Sequence, residues 1–239
     1  MALLRFEDVT IRYPIYNSRA MSMRHQLVRL STGGRIAAEA GQIVTVTALD
    51  GATFELREGD AVGLIGHNGA GKTTLLRTMA GIYTPSSGRL VREGSVTTVF
   101  ELGAGMDLEL SGYDNVVRVL MLIGHSRAEA EVYIPEIESF TELGDYMRLP
   151  VRTYSAGMTT RLMFAVATAA RPSILLVDEV FGAGDQAFQE RATTHMRGWI
   201  ADAEIFVFAS HDIRAIKSVC NRIFILNQGK ITETTPDKI

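Results

Sequence analysis

The chain has 239 residues, of which 46% are hydrophobic and 21% charged, so it can bury a substantial core and is not a long disordered protein. Its formal net charge of −3 gives no basic field of the kind that attracts nucleic acid, and its single cysteine, Cys220, cannot form an internal disulfide. The sequence shows neither a run of about 20 apolar residues, as a membrane span requires, nor an N-terminal secretory signal, so we expect a cytosolic domain.

Short apolar runs alternate with segments of helical periodicity, which predicts an α/β fold with a largely parallel sheet. The run at 174–177, Ile-Leu-Leu-Val, has no polar alternation, as expected of a central strand covered on both faces. Strands are predicted at 44–49, 61–65, 174–178, 205–209 and 223–226.

One segment, 15–42, departs from this alternation because it is rich in basic side chains. Its apolar residues fall on one helical stripe, and Arg19, Arg24 and Arg29 lie off that stripe. The stripe consists of Ala20, Met23, Leu27 and Leu30. Two interpretations stay open: a surface helix packed on its own domain, or a docking or membrane-surface element.

A glycine-rich loop between the predicted strand 61–65 and a predicted helix at 73–79 matches the pattern GxxxxGK[ST]. Glycines let backbone amides curl inward around an anion, and the positive end of the following helix adds its dipole. Lys72 is predicted to reach the outer phosphates of a nucleotide, and the Thr73 hydroxyl to bind Mg²⁺. The predicted nucleotide-binding residues here are Gly66, His67, Asn68, Gly69, Ala70, Gly71, Lys72, Thr73 and Thr74.

Residues 101–152 are richer in helix signals than their surroundings and predict a subdomain inserted into the α/β body. Within it, Ser126 and Glu129 form a capping box, which predicts a helix that reaches about Phe140.

The string Tyr-Ser-Ala-Gly-Met at 154–158 begins a further helix that is predicted to stop before Pro172. Ser155 and the Gly157 amide would lie at the positive end of this helix, which favours a second phosphate site. A simple N-cap role for Ser155 is the alternative.

An acidic pair ends the predicted central strand at 174–178. Asp178 at the tip of such a strand, beside a phosphate loop, can hold Mg²⁺ directly or through water. Glu179 would then face the γ-phosphate and could orient or deprotonate the attacking water. Further on, His211 follows the strand 205–209, where an imidazole can bond a γ-phosphate oxygen.

The order and spacing of these motifs resemble the nucleotide-binding subunits of ATP-binding cassette (ABC) transporters over nearly the whole chain. Within that superfamily the chain looks most like the ATPases of polysaccharide exporters. The strings that carry this closer resemblance are Glu-Leu-Gly-Ala-Gly-Met at 101–106, Leu-Gly-Asp at 143–145, Thr-Tyr-Ser-Ala-Gly-Met at 153–158 and Gly-Ala-Gly-Asp at 182–185. The long segment 15–42 also fits those exporters.

The resemblance implies the fold of a P-loop NTPase-type ABC ATPase, with a RecA-like core, an antiparallel β subdomain and an inserted α-helical subdomain at about 101–152. It implies a single nucleotide-binding domain over 1–239, with the basic insertion at about 15–42. Because the sequence ends at Ile239, soon after the last predicted strand, we expect no C-terminal carbohydrate-binding domain of the kind that some O-antigen exporter ATPases carry.

The resemblance also implies roles for single residues. Tyr13 would stack on adenine, and a core or strand-end tyrosine is the alternative. Glu179 would be the catalytic base, and His211 would sense the γ-phosphate beside Lys72. Glu101 stands where such proteins usually have a glutamine. A glutamate there can still bind Mg²⁺ with Thr73 and Asp178, although it adds negative charge beside ATP, or it is a structural acid of the loop.

Across a homodimer with ATP at its interface, Ser155 and Gly157 would contact the nucleotide of the opposite subunit, and Asp185 would cross the interface. The implied cofactors are ATP and Mg²⁺. The implied partners are a separate polytopic transmembrane permease and a lipid-linked glycan (O-antigen, capsule or teichoic acid), with no nucleic acid. The implied location is peripheral, at the cytoplasmic face of the cytoplasmic membrane.

Three other functions are alternatives to the ATPase of a polysaccharide exporter. A non-transport cassette ATPase of DNA repair would carry a long coiled-coil insertion, and a ribosomal one usually joins two cassettes; the sequence shows neither feature. The ATPase of a different exporter is disfavoured by the segment 15–42 and the string at 154–158. A kinase or GTPase of another phosphate-loop family is disfavoured by that string and by His211.

Overall fold

The computed structural model describes residues 1–15, 36–38, 44–99, 103–178 and 186–239. Within these ranges the strands are β1 (Leu3–Ile15), β2 (Ile36–Ala38), β3 (Val44–Arg57), β4 (Asp60–Ile65), β5 (Ser87–Glu93), β6 (Val96–Thr98), β7 (Ile174–Asp178), β8 (Ile205–Ala209), β9 (Arg222–Asn227) and β10 (Lys230–Thr234). The α-helices are α1 (Lys72–Met79), α2 (Gly112–Leu122), α3 (Arg127–Val132), α4 (Ile134–Thr141), α5 (Ala156–Ala167), α6 (Gln186–Asp202) and α7 (Ile213–Val219). Short 3-10 helices lie at Gly144–Arg148, Val151–Thr153 and Pro236–Lys238.

The chain forms two compact units. The first comprises Met1–Val96, Leu176–Glu179 and Glu204–Ile239, and the second comprises Thr97–Leu175 and Val180–Ala203.

The described residues form two sheets. One is antiparallel, with the strand order β2-β3-β1-β5, and the other has the order β10-β9-β4-β8-β7-β6. In the second sheet β4 runs parallel to both β8 and β9, whereas β10 pairs antiparallel with β9. The predicted fold class, a largely parallel core sheet with an antiparallel β subdomain, is confirmed.

The parallel strands are buried, as strands covered on both faces must be. Residues 174–177 of β7 are at most 1% exposed, and Val62 and Leu64 of β4 are fully buried. In the register of β4 with β8, Leu64 lies opposite Ala209, so both strands end at the same edge. The segments that follow them, from Gly66 and from Ser210, therefore start beside each other, which is the usual place for a ligand in an α/β sheet.

The second unit is mainly helical. Its core packs α2, α4 and α5 around a cluster that includes Val116, Leu120, Ile137, Met147 and Leu162. The rings of Phe140, Phe164 and Phe188 lie within 5.8 Å of one another, centroid to centroid, and join α6 to α4 and α5. Aromatic clusters of this kind add stability beyond the area they bury.

Two predicted elements differ from the structure. The helix predicted from Ser126 to about Phe140 is two helices, α3 and α4, because Pro135 cannot donate a backbone hydrogen bond and its ring would clash with the preceding turn. The capping box itself is confirmed, since Ser126 Oγ accepts from Glu129 N at 3.3 Å and Ser126 N donates to Glu129 Oε2 at 2.7 Å. The strand predicted at 44–49 continues to Arg57 as β3.

The basic segment 15–42 is described only at Ile15 and at β2, so its predicted apolar stripe and its arginines lie outside the described residues. In the ranges that the structure does describe, no helix combines the length and apolar character needed to cross a membrane.

Candidate nucleotide site

The loop between β4 and α1 has a backbone path that glycines make possible. A Cβ at Gly66 would lie 2.6 Å from the carbonyl oxygen of Leu226, and one at Gly71 would lie 2.7 Å from that of Ala48. Gly71 also has a φ of 112°, which L side chains rarely adopt. As the N-cap of α1, Gly71 has no side chain to cap the first amides of the helix, so these amides can bind an anion.

The other loop residues differ in exposure. His67, Asn68 and Gly69 are exposed, whereas Ala70 is 1% exposed. Ala70 N donates to His67 O at 3.0 Å, which closes a turn within the loop. The loop is therefore buried at Ala70 and open to solvent at residues 67–69.

Lys72 lies folded against this loop. Its Nζ donates to Gly66 O at 2.5 Å and approaches His67 O at 3.5 Å. The ammonium group therefore lies beside the loop amides, so a phosphate bound by those amides would be within reach of the cation.

Thr73 and Asp178 are brought together from α1 and the end of β7. Thr73 Oγ1 donates to Asp178 Oδ2 at 2.8 Å. Two of the three predicted Mg²⁺ ligands are thus neighbours, and both are oxygen donors. Mg²⁺ prefers oxygen ligands and usually takes few of them from the protein, together with water and phosphate oxygens, so this pair fits the ion.

Tyr13, near the end of β1, lies against α1. Its hydroxyl donates to Thr74 Oγ1 at 3.2 Å, and its ring meets the ring of Tyr83 edge-on at 5.4 Å between centroids. Burial raises the pKa of Tyr13 because it disfavours the charged phenolate. The sequence did not predict a role for Tyr83, because this residue belongs to no local motif. Only the fold brings it next to Tyr13.

In the second unit, Ser155 is the N-cap of α5, as predicted. Its Oγ accepts from Met158 N at 3.3 Å, and its carbonyl oxygen accepts from Thr159 N at 2.9 Å. Ser155 is exposed, and a Cβ added at Gly157 would have only Ser155 Oγ, at 4.0 Å, as a neighbour. The start of α5 is therefore an open, positively polarised helix end.

His211 lies two residues beyond the end of β8. Ser210 before it is buried, His211 itself is exposed, and Asp212 after it caps α7 by accepting from Arg214 N at 2.8 Å. Since β8 pairs with β4, this short turn belongs to the sheet edge from which the glycine loop starts.

Three predicted site residues, Glu101, Glu179 and Asp185, lie outside the described residues. Their places in the site remain predictions from the sequence.

A glycine loop of this shape on a parallel sheet edge, with a lysine, a threonine and a strand-end aspartate, is typical of the phosphate-loop NTPase fold. Residues 49–182 match the family model described as "ABC transporter". The chain belongs to the ABC transporter family, as one of its ATPase subunits, and the predicted family is confirmed.

Two relatives are similar over most of their length. The chain is 66% identical to the O-antigen export system ATP-binding protein RfbE of Yersinia enterocolitica, over 99% of each chain. It is 32% identical to the teichoic acids export ATP-binding protein TagH of Staphylococcus epidermidis, over 96% of this chain and 83% of the relative.

A solved structure has the same fold. It is a dimeric post-hydrolysis state of the ATP-binding cassette MJ0796 bound to ADP and Pi, with a TM-score of 0.68, 20% identity and 98% of each chain covered.

Proposed function

We propose that the protein is the ATP-hydrolysing subunit of an ABC transporter that powers the export of a lipid-linked polysaccharide (O-antigen, capsule or teichoic acid) across the cytoplasmic membrane. The observation that carries this proposal is the 66% identity, over 99% of both chains, to a relative named for O-antigen export. The lower identity, 32% over 96% of this chain, to a teichoic acids export protein supports the same substrate class, a lipid-linked glycan.

The glycine loop binds the triphosphate of ATP in this proposal. The amides at the start of α1 surround the β-phosphate, and Lys72 leaves the Gly66 carbonyl, 2.5 Å away, for the outer phosphate oxygens. Exchanging a neutral carbonyl for an anionic oxygen strengthens the hydrogen bond of the ammonium group. Tyr13 provides the face on which adenine stacks.

Thr73 and Asp178, whose oxygens are 2.8 Å apart, would hold Mg²⁺ together with phosphate oxygens and water. When bound, the ion would neutralise negative charge that develops on the phosphates. Glu101 would bind there as well, in the position of the usual glutamine.

Two further residues act at the γ-phosphate. Glu179 directly follows Asp178, and we infer that its carboxylate takes a proton from the attacking water as a general base. His211 follows β8 at the edge where the loop begins, and its imidazole would donate to a γ-phosphate oxygen.

A second copy of the chain completes each site. The exposed N-terminus of α5 would meet the nucleotide held by the opposite subunit through Ser155 and the Gly157 amide, and Asp185 would cross the interface. Ser155 Oγ accepts from Met158 N, and an accepting hydroxyl keeps its own proton for donation to phosphate. ATP then stabilises the closed dimer, and loss of the γ-phosphate favours its opening.

Transport requires a membrane path, which we assign to a polytopic permease encoded as a separate chain. The protein would bind it peripherally at the cytoplasmic face, with no role for nucleic acid. The helical insertion at about 101–152 would transmit closing and opening of the dimer to this permease.

The test is deletion of the gene in its own host, followed by complementation. We expect deletion to remove the glycan from the cell surface and to leave its lipid-linked form inside the cell. The wild-type gene should restore export, whereas a Lys72→Met gene should not. The protein should also co-purify with the permease encoded nearby. If the purified protein hydrolyses ATP but the deletion strain keeps its surface glycan unchanged, the substrate class is refuted.

A further inference from the structure

Four side chains form a cluster beside the glycine loop, which we call the tyrosine cluster: Tyr13, Thr74, Arg77 and Tyr83. Thr74 and Arg77 are three residues apart and so share one face of α1, while Tyr83 lies in the turn that leads from α1 to β5. All four are partly buried.

Tyr13 is held at two points in this cluster. At one end of its ring, the hydroxyl donates to Thr74 Oγ1 at 3.2 Å. The second point is the ring of Tyr83, which meets the Tyr13 ring at 73° with the centroids 5.4 Å apart, a favoured edge-to-face arrangement. A hydroxyl contact alone would let the ring rotate about its long axis, whereas the second ring opposes that rotation.

Tyr83 is itself held by Arg77. Arg77 Nη1 donates to the Tyr83 hydroxyl at 3.0 Å, and the guanidinium carbon lies 5.8 Å from the centre of the Tyr83 ring. A backbone hydrogen bond joins the same two residues, since Tyr83 N donates to Arg77 O at 3.2 Å. The position of Tyr83 is therefore set by the same helix whose start binds phosphate.

We propose that Tyr83, fixed by Arg77, is a positioning residue that sets the ring plane of Tyr13 for stacking on the base of a nucleoside triphosphate. This inference rests on the proposed function, in which Tyr13 stacks on adenine. It assigns a role in base recognition to two residues outside every motif of the sequence. Because Tyr83 acts only through Tyr13, its effect must be confined to ligands that carry a base.

The experiment compares two ligands, ATP and inorganic tripolyphosphate, by calorimetry on the full chain. Replacing Tyr83 with leucine should weaken ATP binding about three- to tenfold, the range that one aromatic pair supports, and leave tripolyphosphate binding unchanged. Tyr83→Phe, which keeps the ring edge, should lose less than Tyr83→Leu. The matched control is Tyr146→Leu, at a tyrosine that is 50% exposed in the second unit.

A double variant tests whether the effect passes through Tyr13. In a Tyr13→Leu chain, the further change Tyr83→Leu should not weaken ATP binding again. Equal weakening of both ligands by Tyr83→Leu, or an additive loss in the double variant, would overturn the inference.

The same data separate this inference from the proposed function. If Tyr13→Leu weakens ATP binding and Tyr83→Leu does not, the role of Tyr83 is refuted while Tyr13 keeps its assignment. If Tyr13→Leu leaves ATP binding unchanged, the stacking role of Tyr13 fails, and the role of Tyr83 fails with it.

Discussion

Replacing Lys72 with methionine is expected to reduce ATP hydrolysis by at least about 100-fold, which is the usual cost of removing one charged group that stabilises a transition state. Methionine keeps much of the length of the side chain and removes the charge. In the structure the ammonium group lies 2.5 Å from Gly66 O, within the loop that would bind the phosphates. Phosphate release from the purified protein, with the permease present, measures the effect.

The matched control for this change is Lys230→Met, since Lys230 is exposed on β10. That variant should hydrolyse ATP at the wild-type rate, and both variants should unfold at the wild-type temperature. A Lys72→Met protein with normal hydrolysis would show that the glycine loop does not bind the reacting phosphates.

Replacing Glu179 with glutamine is expected to leave ATP binding intact and to slow turnover by about 100- to 10,000-fold, the range for loss of a general base. Glutamine has nearly the same shape as glutamate but cannot accept the proton of the attacking water. Since ATP would then persist, the variant should accumulate as a closed dimer in ATP and Mg²⁺. Calorimetry for binding, phosphate release for turnover and analytical ultracentrifugation for the dimer are the three measurements.

Glu58→Gln, at an exposed residue of the first unit, is the control for loss of a carboxylate. It should change neither turnover nor assembly. If Glu179→Gln hydrolysed ATP at the wild-type rate, the base would have to be another group. If it failed to bind ATP, the residue would act in binding and not in the chemical step.

The parts of the fold that the sequence predicted well depend on local signals. The strand at 174–178 has the predicted bounds because four consecutive apolar residues followed by an acid leave few alternatives. Likewise, Ser155 caps a helix as predicted, since a capping serine needs only the amides that follow it.

Other features depend on contacts between distant residues, which local patterns do not contain. The pair Asp50-Gly51 is typical of turns, yet β3 runs through it because β1 pairs along its length with an irregular register, and Gly51 takes a φ of 63°. Similarly, the approach of Tyr83 to Tyr13 requires α1 and β1 to pack together.

The candidate site likewise contains features that local sequence patterns predict and features that they do not. The glycine loop, Lys72 and Thr73 were predicted from one continuous motif, and the contact of Thr73 with Asp178 followed from the parallel sheet. The orientation of Lys72 toward the Gly66 carbonyl could not be predicted, because no pattern specifies where a flexible lysine lies without its ligand.

In the proposed mechanism, each ATP is bound by the glycine loop of one subunit and by Ser155 of the other, and mixed dimers distinguish this shared site from a site within one chain. Lys72→Met and Ser155→Arg chains are each expected to be inactive alone. When they are mixed, one site of every mixed dimer contains an intact loop and an intact Ser155, so hydrolysis should return to about a quarter of the wild-type rate. If the mixture stays as inactive as its components while mixed dimers form, each site lies within a single chain, and the site shared between subunits is refuted.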